Sequence, residues 1–465
     1  MPPIGPRARY RASIARYGAR SARLVRLRHP AQIIITAFAA AIVVGTVLLA
    51  LPVARQGDGR ATVLEAAFTA TSAVCVTGHI VVDTPEYWST FGELVILGLI
   101  QVGGFGIMTV ASMVGLLISR RMGLRSRLVA AAETKSVGLG DLRSVVVGVA
   151  KVSVAFEAVT AMLLGGRFMI GYDESAGRAA YLGVFHAVSS FNNAGFALFS
   201  DNLVGFADDP WICLPIAAAV IFGGLGFPVL FELRRQYRRP RGWSLHTKLT
   251  LSMTVLLLSV GTVFVSANEW TNPGTLGRLD VPGRLLAGFF HSVAARTAGF
   301  NTVDIDAMDP GTWLGLDVMM FIGGGSAGTA GGIKVTTFAL LFFVIYAEVR
   351  GDPEVTVFDR RIDPRVWRQA LTVALVSVAV VVTSAVVLVE TTRFGTDVVL
   401  FEVISAFGTV GLSAGITADL PPHGQMVLIL LMFVGRLGPI MLVSALALRD
   451  RPRLYRHPEG RPLIG

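Results

Sequence analysis

Phe68, Phe185, Phe289 and Phe401 each stand ten residues before a glycine, namely Gly78, Gly195, Gly299 and Gly411, and small or apolar residues fill most of each interval. A long apolar run precedes each of these frames and another follows it. A short segment that enters a membrane, turns on glycine and leaves again, four times over, is the construction of an ion pore, and few other folds would keep four such frames in register.

The composition puts such a chain in a lipid bilayer. Of its 465 residues, 53% are hydrophobic and 15% charged, with a mean hydropathy of +0.63, more apolar surface than a soluble core of this size would hide. Runs able to cross an apolar layer of about 30 Å lie at 31–53, 90–118, 144–166, 209–231, 245–267, 313–347, 369–390 and 424–447. Shorter apolar segments at 62–77, 179–194, 283–298 and 396–410 lie between the members of successive pairs. They are too short to cross as helices and suit re-entrant pore helices. The expected fold is an all-α membrane protein with eight transmembrane helices and four re-entrant pore helices, in four pseudo-repeats around one ion pore. The repeats would occupy 31–118, 144–234, 245–348 and 365–447, between a basic tail at 1–30 and a second tail at 448–465.

A net charge of +10 invites a nucleic-acid reading, but its placement argues against one. Thirty of the 41 Lys and Arg residues fall in the two tails and in the joints 120–143, 234–248 and 350–368, whereas seven fall in the opposite connections. The positive-inside rule then makes the joints and both termini cytoplasmic, at the plasma membrane, with the short segments entering from outside. Contact of the basic tail with anionic lipid would be incidental. The run from Ala31 to Leu51 is longer than the apolar core of a signal peptide and is taken as an uncleaved first span. Cys75 and Cys213 lack the spacing for a metal site or a disulfide framework and are read as packing residues.

The four turns read Ser72-Ala-Val-Cys-Val-Thr-Gly78, Ser189-Ser-Phe-Asn-Asn-Ala-Gly195, Val293-Ala-Ala-Arg-Thr-Ala-Gly299 and Ser405-Ala-Phe-Gly-Thr-Val-Gly411. A dehydrated cation needs several oxygens at close range, and backbone carbonyls supply them without burying a carboxylate. Aiming successive carbonyls at one axis takes dihedrals that glycine tolerates. One such glycine alone reads as a helix breaker in a tight bundle; four in register, each with Phe at the same offset, do not. The Phe residues are expected to anchor each short helix against its neighbours.

These turns, with Val82-Asp83-Thr84 after the first, Phe196 after the second, Phe300-Asn301 after the third, Leu412-Ser413 after the fourth, and the run Gly323-Gly-Gly-Ser-Ala-Gly-Thr-Ala-Gly-Gly-Ile-Lys334, resemble the Trk/Ktr/HKT superfamily of cation transporters. The resemblance covers about 31–447 and is nearest to the KtrB-type membrane subunit, because the first repeat follows directly on the tail. It implies a potassium pathway with a selectivity filter of Val76, Thr77, Gly78, Asn193, Ala194, Gly195, Thr297, Ala298, Gly299, Thr409, Val410 and Gly411, the ion lying at the four glycines. Glycine at 78, where some sodium-transporting plant members carry serine, favours potassium; sodium or mixed cation transport is the alternative. The resemblance also implies a homodimer of this subunit and a cytoplasmic RCK-type ring, similar to KtrA or TrkA, that binds the nucleotide. No cofactor is expected on this chain. One departure is His79, where leucine would be expected; it would either tune permeation with pH or form a hydrogen bond at the outer mouth.

In the third repeat the run 313–347 is longer than one crossing needs, and Gly323, Gly324, Gly325, Ser326, Gly328, Gly331 and Gly332 crowd its middle. Unwound backbone at that depth belongs where it lines a cavity, here under the filter, and the resemblance assigns 323–332 to an intramembrane gate loop. The G-x-G-x-x-G match at Gly323 to Gly328 lacks the strand–turn–helix context of a dinucleotide fingerprint and is set aside. Equivalent positions in the other repeats carry Gly103-Gly104-Phe-Gly106, Gly223-Gly224-Leu-Gly226 and Gly435-Arg436-Leu-Gly438. Arg436, a charge within a span, is expected to donate to loop carbonyls around 326–330, the alternative being a structural pair with a carboxylate. Lys334 resembles it but lies nearer the cytoplasmic end, where snorkelling competes. Glu157 and Lys151 form no convincing proton relay.

An intramembrane enzyme would need a constellation that His79, His186 and His291 do not provide, since no paired motif such as H-E-x-x-H accompanies them. A passive scaffold leaves four aligned glycines unexplained.

Overall fold

The structure, a computed structural model, describes residues 30–121 and 142–438. Most of the N-terminal tail, part of the first joint, the far end of the eighth expected span and the C-terminal tail lie outside the described residues.

Helices come in four groups, each with a short member in the middle. The first holds α1 (Pro30–Leu49), α2 (Val63–Cys75) and α3 (Thr90–Arg121); the second holds α4 (Leu142–Gly171), α5 (Ala176–Phe191) and α6 (Pro210–Leu225), continued by α7 (Phe227–Gln236). The third holds α8 (Leu245–Glu269), α9 (Val281–Ala294) and α10 (Pro310–Phe321), continued by α11 (Val335–Arg350), and the fourth holds α12 (Pro364–Thr391), α13 (Thr396–Gly408) and α14 (Pro422–Leu437). A two-residue hairpin, β1 (Thr356–Val357) against β2 (Arg360–Arg361), follows α11.

Local signals set where the short helices begin. Thr62 Oγ1 accepts the Glu65 amide at 3.2 Å while Glu65 Oε2 accepts the Thr62 amide at 2.7 Å, a reciprocal cap on α2. Ser175 caps α5, and Asp280, followed by a proline in the first turn, caps α9. These helices are buried along much of their length: Phe68, Phe185 and Phe401 are fully enclosed and Phe289 partly so.

Each short helix packs on the first long helix of its own group. The last helix of each group also packs on the short helix of the next: α3 on α5, α6 on α9, α10 on α13 and, closing the circuit, α14 on α2. The four groups therefore surround a common centre to which every short helix is adjacent.

Two of the eight expected spans are interrupted helices. Among the described residues, three helices are long and apolar enough to cross a membrane alone, Val146–Gly171, Leu245–Glu269 and Pro364–Thr391, and α6 with α7 would make a fourth. Those two were expected as one straight span but meet at 100°, because Gly226, at φ +91°, breaks the helix and Pro228 follows in the next first turn. α14 likewise ends at Leu437 before Gly438, at φ +78°. The third group's last span is interrupted as expected, between Phe321 and Val335.

Candidate functional site

The short helices end in four turns of one geometry. Val76, Asn193, Thr297 and Thr409 have φ of 55°, 58°, 68° and 50°, and two residues later Gly78, Gly195, Gly299 and Gly411 have φ of 93°, 70°, 72° and 91°. Asparagine enters the left-handed region with little penalty, whereas β-branched Val and Thr enter it at a cost of about 1–3 kcal/mol each, so the surroundings must enforce this alternation.

The four turns meet in a ring. A methyl group added at Gly78 would stand 2.6 Å from Ala194 O and 3.0 Å from Gly195 Cα; one at Gly195 would stand 2.8 Å from Ala298 O and from Gly299 Cα. One at Gly299 would stand 2.7 Å from Val410 O, and one at Gly411 would overlap Thr77 O and stand 3.0 Å from Gly78 Cα. Only glycine allows this approach. The four carbonyl oxygens named here belong to the residues just before the glycines, all of them buried, and none accepts a hydrogen bond among the described residues. Buried carbonyls are nearly always paired, so four bare ones side by side form a set of oxygen ligands suited to a dehydrated cation. The hydroxyls of Thr77 and Thr409 are buried beside them with no hydrogen-bond partner.

The irregular stretch 322–334 lies against the helix-side ends of these turns. Its two ends adjoin, with Gly323 N donating to Ile333 O at 2.8 Å and Val335 N to Gly324 O at 3.0 Å. The loop takes up carbonyls that the break at Gly226 leaves free: Gly325 N donates to Gly224 O at 2.7 Å and Thr329 N to Gly223 O at 3.1 Å. Thr329 Oγ1 donates to Asn193 Oδ1 at 2.8 Å, reaching the second turn, and Gly331 lies against Gly408 and Thr409 at the fourth.

Three cations converge on the loop. Arg436, 3% exposed, donates from Nη1 to Thr329 O and from Nη2 to Gly103 O at 3.4 Å. Lys334 folds back instead of extending away, Nζ donating to Ala330 O at 2.5 Å. Arg296 Nη2 lies 3.4 Å from Gly323 O, with Nη1 unpaired. None of the three forms an ion pair with a carboxylate among the described residues, where Arg436 is held by carbonyls. Arg296 was not singled out from the sequence, although the same argument that marks Arg436, a charge at membrane depth, applies to it.

Other residues named from the sequence sit apart from this centre or support it. Glu157 accepts from Gln101 Nε2 at 3.1 Å and Asn192 Nδ2 at 3.2 Å, and Lys151, elsewhere on α4, is exposed. Cys75 and Cys213 are buried and unpaired.

Comparison with known proteins gives the family. A family model described as cation transport protein, TrkH, matches residues 13–451. The chain belongs to that family. It is 39% identical to the Ktr system potassium uptake protein B of Bacillus subtilis (strain 168), covering 94% of this chain and 97% of that protein. It is 34% identical to the potassium/sodium uptake protein NtpJ of Enterococcus hirae, covering 94% and 97%. The crystal structure of the potassium transporter TrkH from Vibrio parahaemolyticus superposes with a TM-score of 0.69 at 18% identity, over 91% of this chain and 86% of that one, a likeness of fold. As a member of the TrkH family the chain is a multi-pass membrane transport protein and not an enzyme.

Proposed function

We propose that this protein is the ion-translocating subunit of a Ktr-type potassium uptake system in the plasma membrane. Potassium passes along the axis of four repeats, built from eight spans with both termini cytoplasmic, and the four short helices are pore helices entering from outside. The selectivity filter is formed by residues 76–78, 193–195, 297–299 and 409–411, and the loop 323–332 with Arg436 is the gate beneath it. The observation that carries this reading is the ring of unpaired carbonyls of Thr77, Ala194, Ala298 and Val410. Such oxygens replace a hydration shell, whereas the positive charges of Arg296, Lys334 and Arg436 below them oppose a cation while the loop is in place.

Relatives named as subunits of uptake systems support a partner. In this reading it is a cytoplasmic RCK-type ring that binds nucleotide and moves the loop, and the membrane subunit works as a homodimer. A second reading, sodium or mixed monovalent transport, is favoured by the relative named for both ions. Glycine at all four filter positions supports potassium. Expression with a KtrA-like partner in cells lacking their own potassium uptake tests it. Growth at low potassium is expected, and growth no better than without the gene would refute potassium uptake.

A further inference from the structure

Beyond each glycine the chain continues without regular structure, and in three groups a side chain of the short helix pins that segment at the same place. His186 Nε2 accepts the amide of Leu198, His291 Nε2 accepts that of Thr302, and Glu402 Oε1 accepts that of Ala414, at 3.3, 3.3 and 3.1 Å. Leu198, Thr302 and Ala414 each lie three residues after their glycine. In the first group Thr69 stands where His186 and Glu402 stand, and among the described residues no such bond reaches Val81.

The first segment carries His79 instead, directly after Gly78. Its Nδ1 lies 3.5 Å from Glu402 Oε2 and 3.4 Å from Thr417 Oγ1, and both ionisable side chains are fully enclosed. Glu402 also accepts from Ser413 Oγ, and from Thr417 Oγ1 at 2.9 Å. The Thr417 hydroxyl gives its proton to Glu402 Oε2, so Thr417 Oγ1 accepts from Nδ1–H and links the imidazole to the carboxylate, while Nε2 has no partner.

We propose that Glu402 and His79 form a clasp across the outer side of the ring, holding the first and fourth turns in register, and that both are positioning residues that determine ion selectivity. The inference rests on the reading of the four turns as the filter. Glu402 performs for its own segment what the histidines perform for theirs, and its second oxygen, through Thr417, supplies the first segment with the anchor its short helix lacks. Gly411 and Gly78 are the adjacent pair that this clasp spans.

The test is the ratio of K+ to Na+ flux into liposomes containing the purified protein, for Glu402→Gln, His79→Leu, His79→Asn and the double variant Glu402→Gln/His79→Leu. A defect that only lowers the number of folded molecules scales both fluxes and leaves the ratio alone. Each of Glu402→Gln and His79→Leu is expected to lower the ratio by about tenfold, the scale of one buried hydrogen bond. The double variant should fall no further than the worse single one, and His79→Asn, which keeps a donor near Nδ1, should recover part of the loss. An unchanged ratio in conducting single variants, or effects that multiply in the double, overturns the clasp. Should Glu402→Gln fail to fold, His79→Leu against His79→Asn decides alone. Gly78→Ser is measured alongside: if it lowers the ratio and the clasp variants do not, the clasp alone fails, and if it too leaves the ratio unchanged, the filter reading fails and takes the clasp with it.

Discussion

Gly411, the last of the four turn glycines, lies against Gly78, the first, so closely that a methyl group on Gly411 would stand 3.0 Å from Gly78 Cα. The ends of the repeated unit thus meet, and the circuit also closes in the helices, where α14 packs on α2 as α3 packs on α5. Four turns that differ in sequence thus share one backbone geometry in one ring.

Arg436 holds the loop through Thr329 O and reaches Gly103 O of the first group, with no carboxylate paired to it among the described residues. Arg436→Ala removes both donors and the charge, so the maximum potassium flux should rise while the K+-over-Na+ ratio stays near that of the wild type. Arg436→Lys keeps the charge without the planar fork and should fall between them. Liposome flux measures both quantities. A folded Arg436→Ala protein with no gain of flux would remove Arg436 from the gate.

Deleting residues 323–332 joins Ile322 to Ile333, which already adjoin through the Gly323 to Ile333 hydrogen bond. The half-helices should therefore stay in place and basal flux without the cytoplasmic partner should increase. Flux equal to or below wild type, in a protein that elutes as a folded species, would contradict a barrier at this loop.

Gly226 has φ +91°, and a methyl group there would overlap Ser326 O. Gly226→Ala should destabilise the protein by about 1–2 kcal/mol from the backbone alone, and should loosen the loop's seat as well. A thermal melt in detergent should shift down by a few degrees, with a rise in basal flux. An unshifted melt and unchanged flux would show that the bend does not seat the loop.

The parts legible in the sequence are those whose local chemistry admits few alternatives. Four backbone turns at positive φ demand glycine at one offset, so Gly78, Gly195, Gly299 and Gly411 were visible as a set, and the short helices appeared within a few residues of their true ends. The density of glycine at 323–332 likewise announced unwound backbone. The bend at Gly226 was not visible, because Gly and Pro are tolerated in apolar runs and the helix breaks there to seat a loop more than ninety residues further on. The partners of Thr329, Arg436 and His79 also depend on the circular packing order, which no local pattern contains. His79 stood out as an unusual residue, but the carboxylate it faces lies on a short helix in the opposite half of the chain.

The most direct test of the central claim, that a ring of backbone carbonyls selects the ion, is the ratio of K+ and Rb+ flux to Na+ flux in liposomes for the wild type and Gly78→Ser. Serine places a side chain against Ala194 O and opposes the φ of +93° at that position. The wild type is expected to pass K+ and Rb+ well above Na+, and Gly78→Ser to lower that preference by about tenfold or more while still conducting. A Gly78→Ser protein with wild-type flux and an unchanged ratio would contradict it.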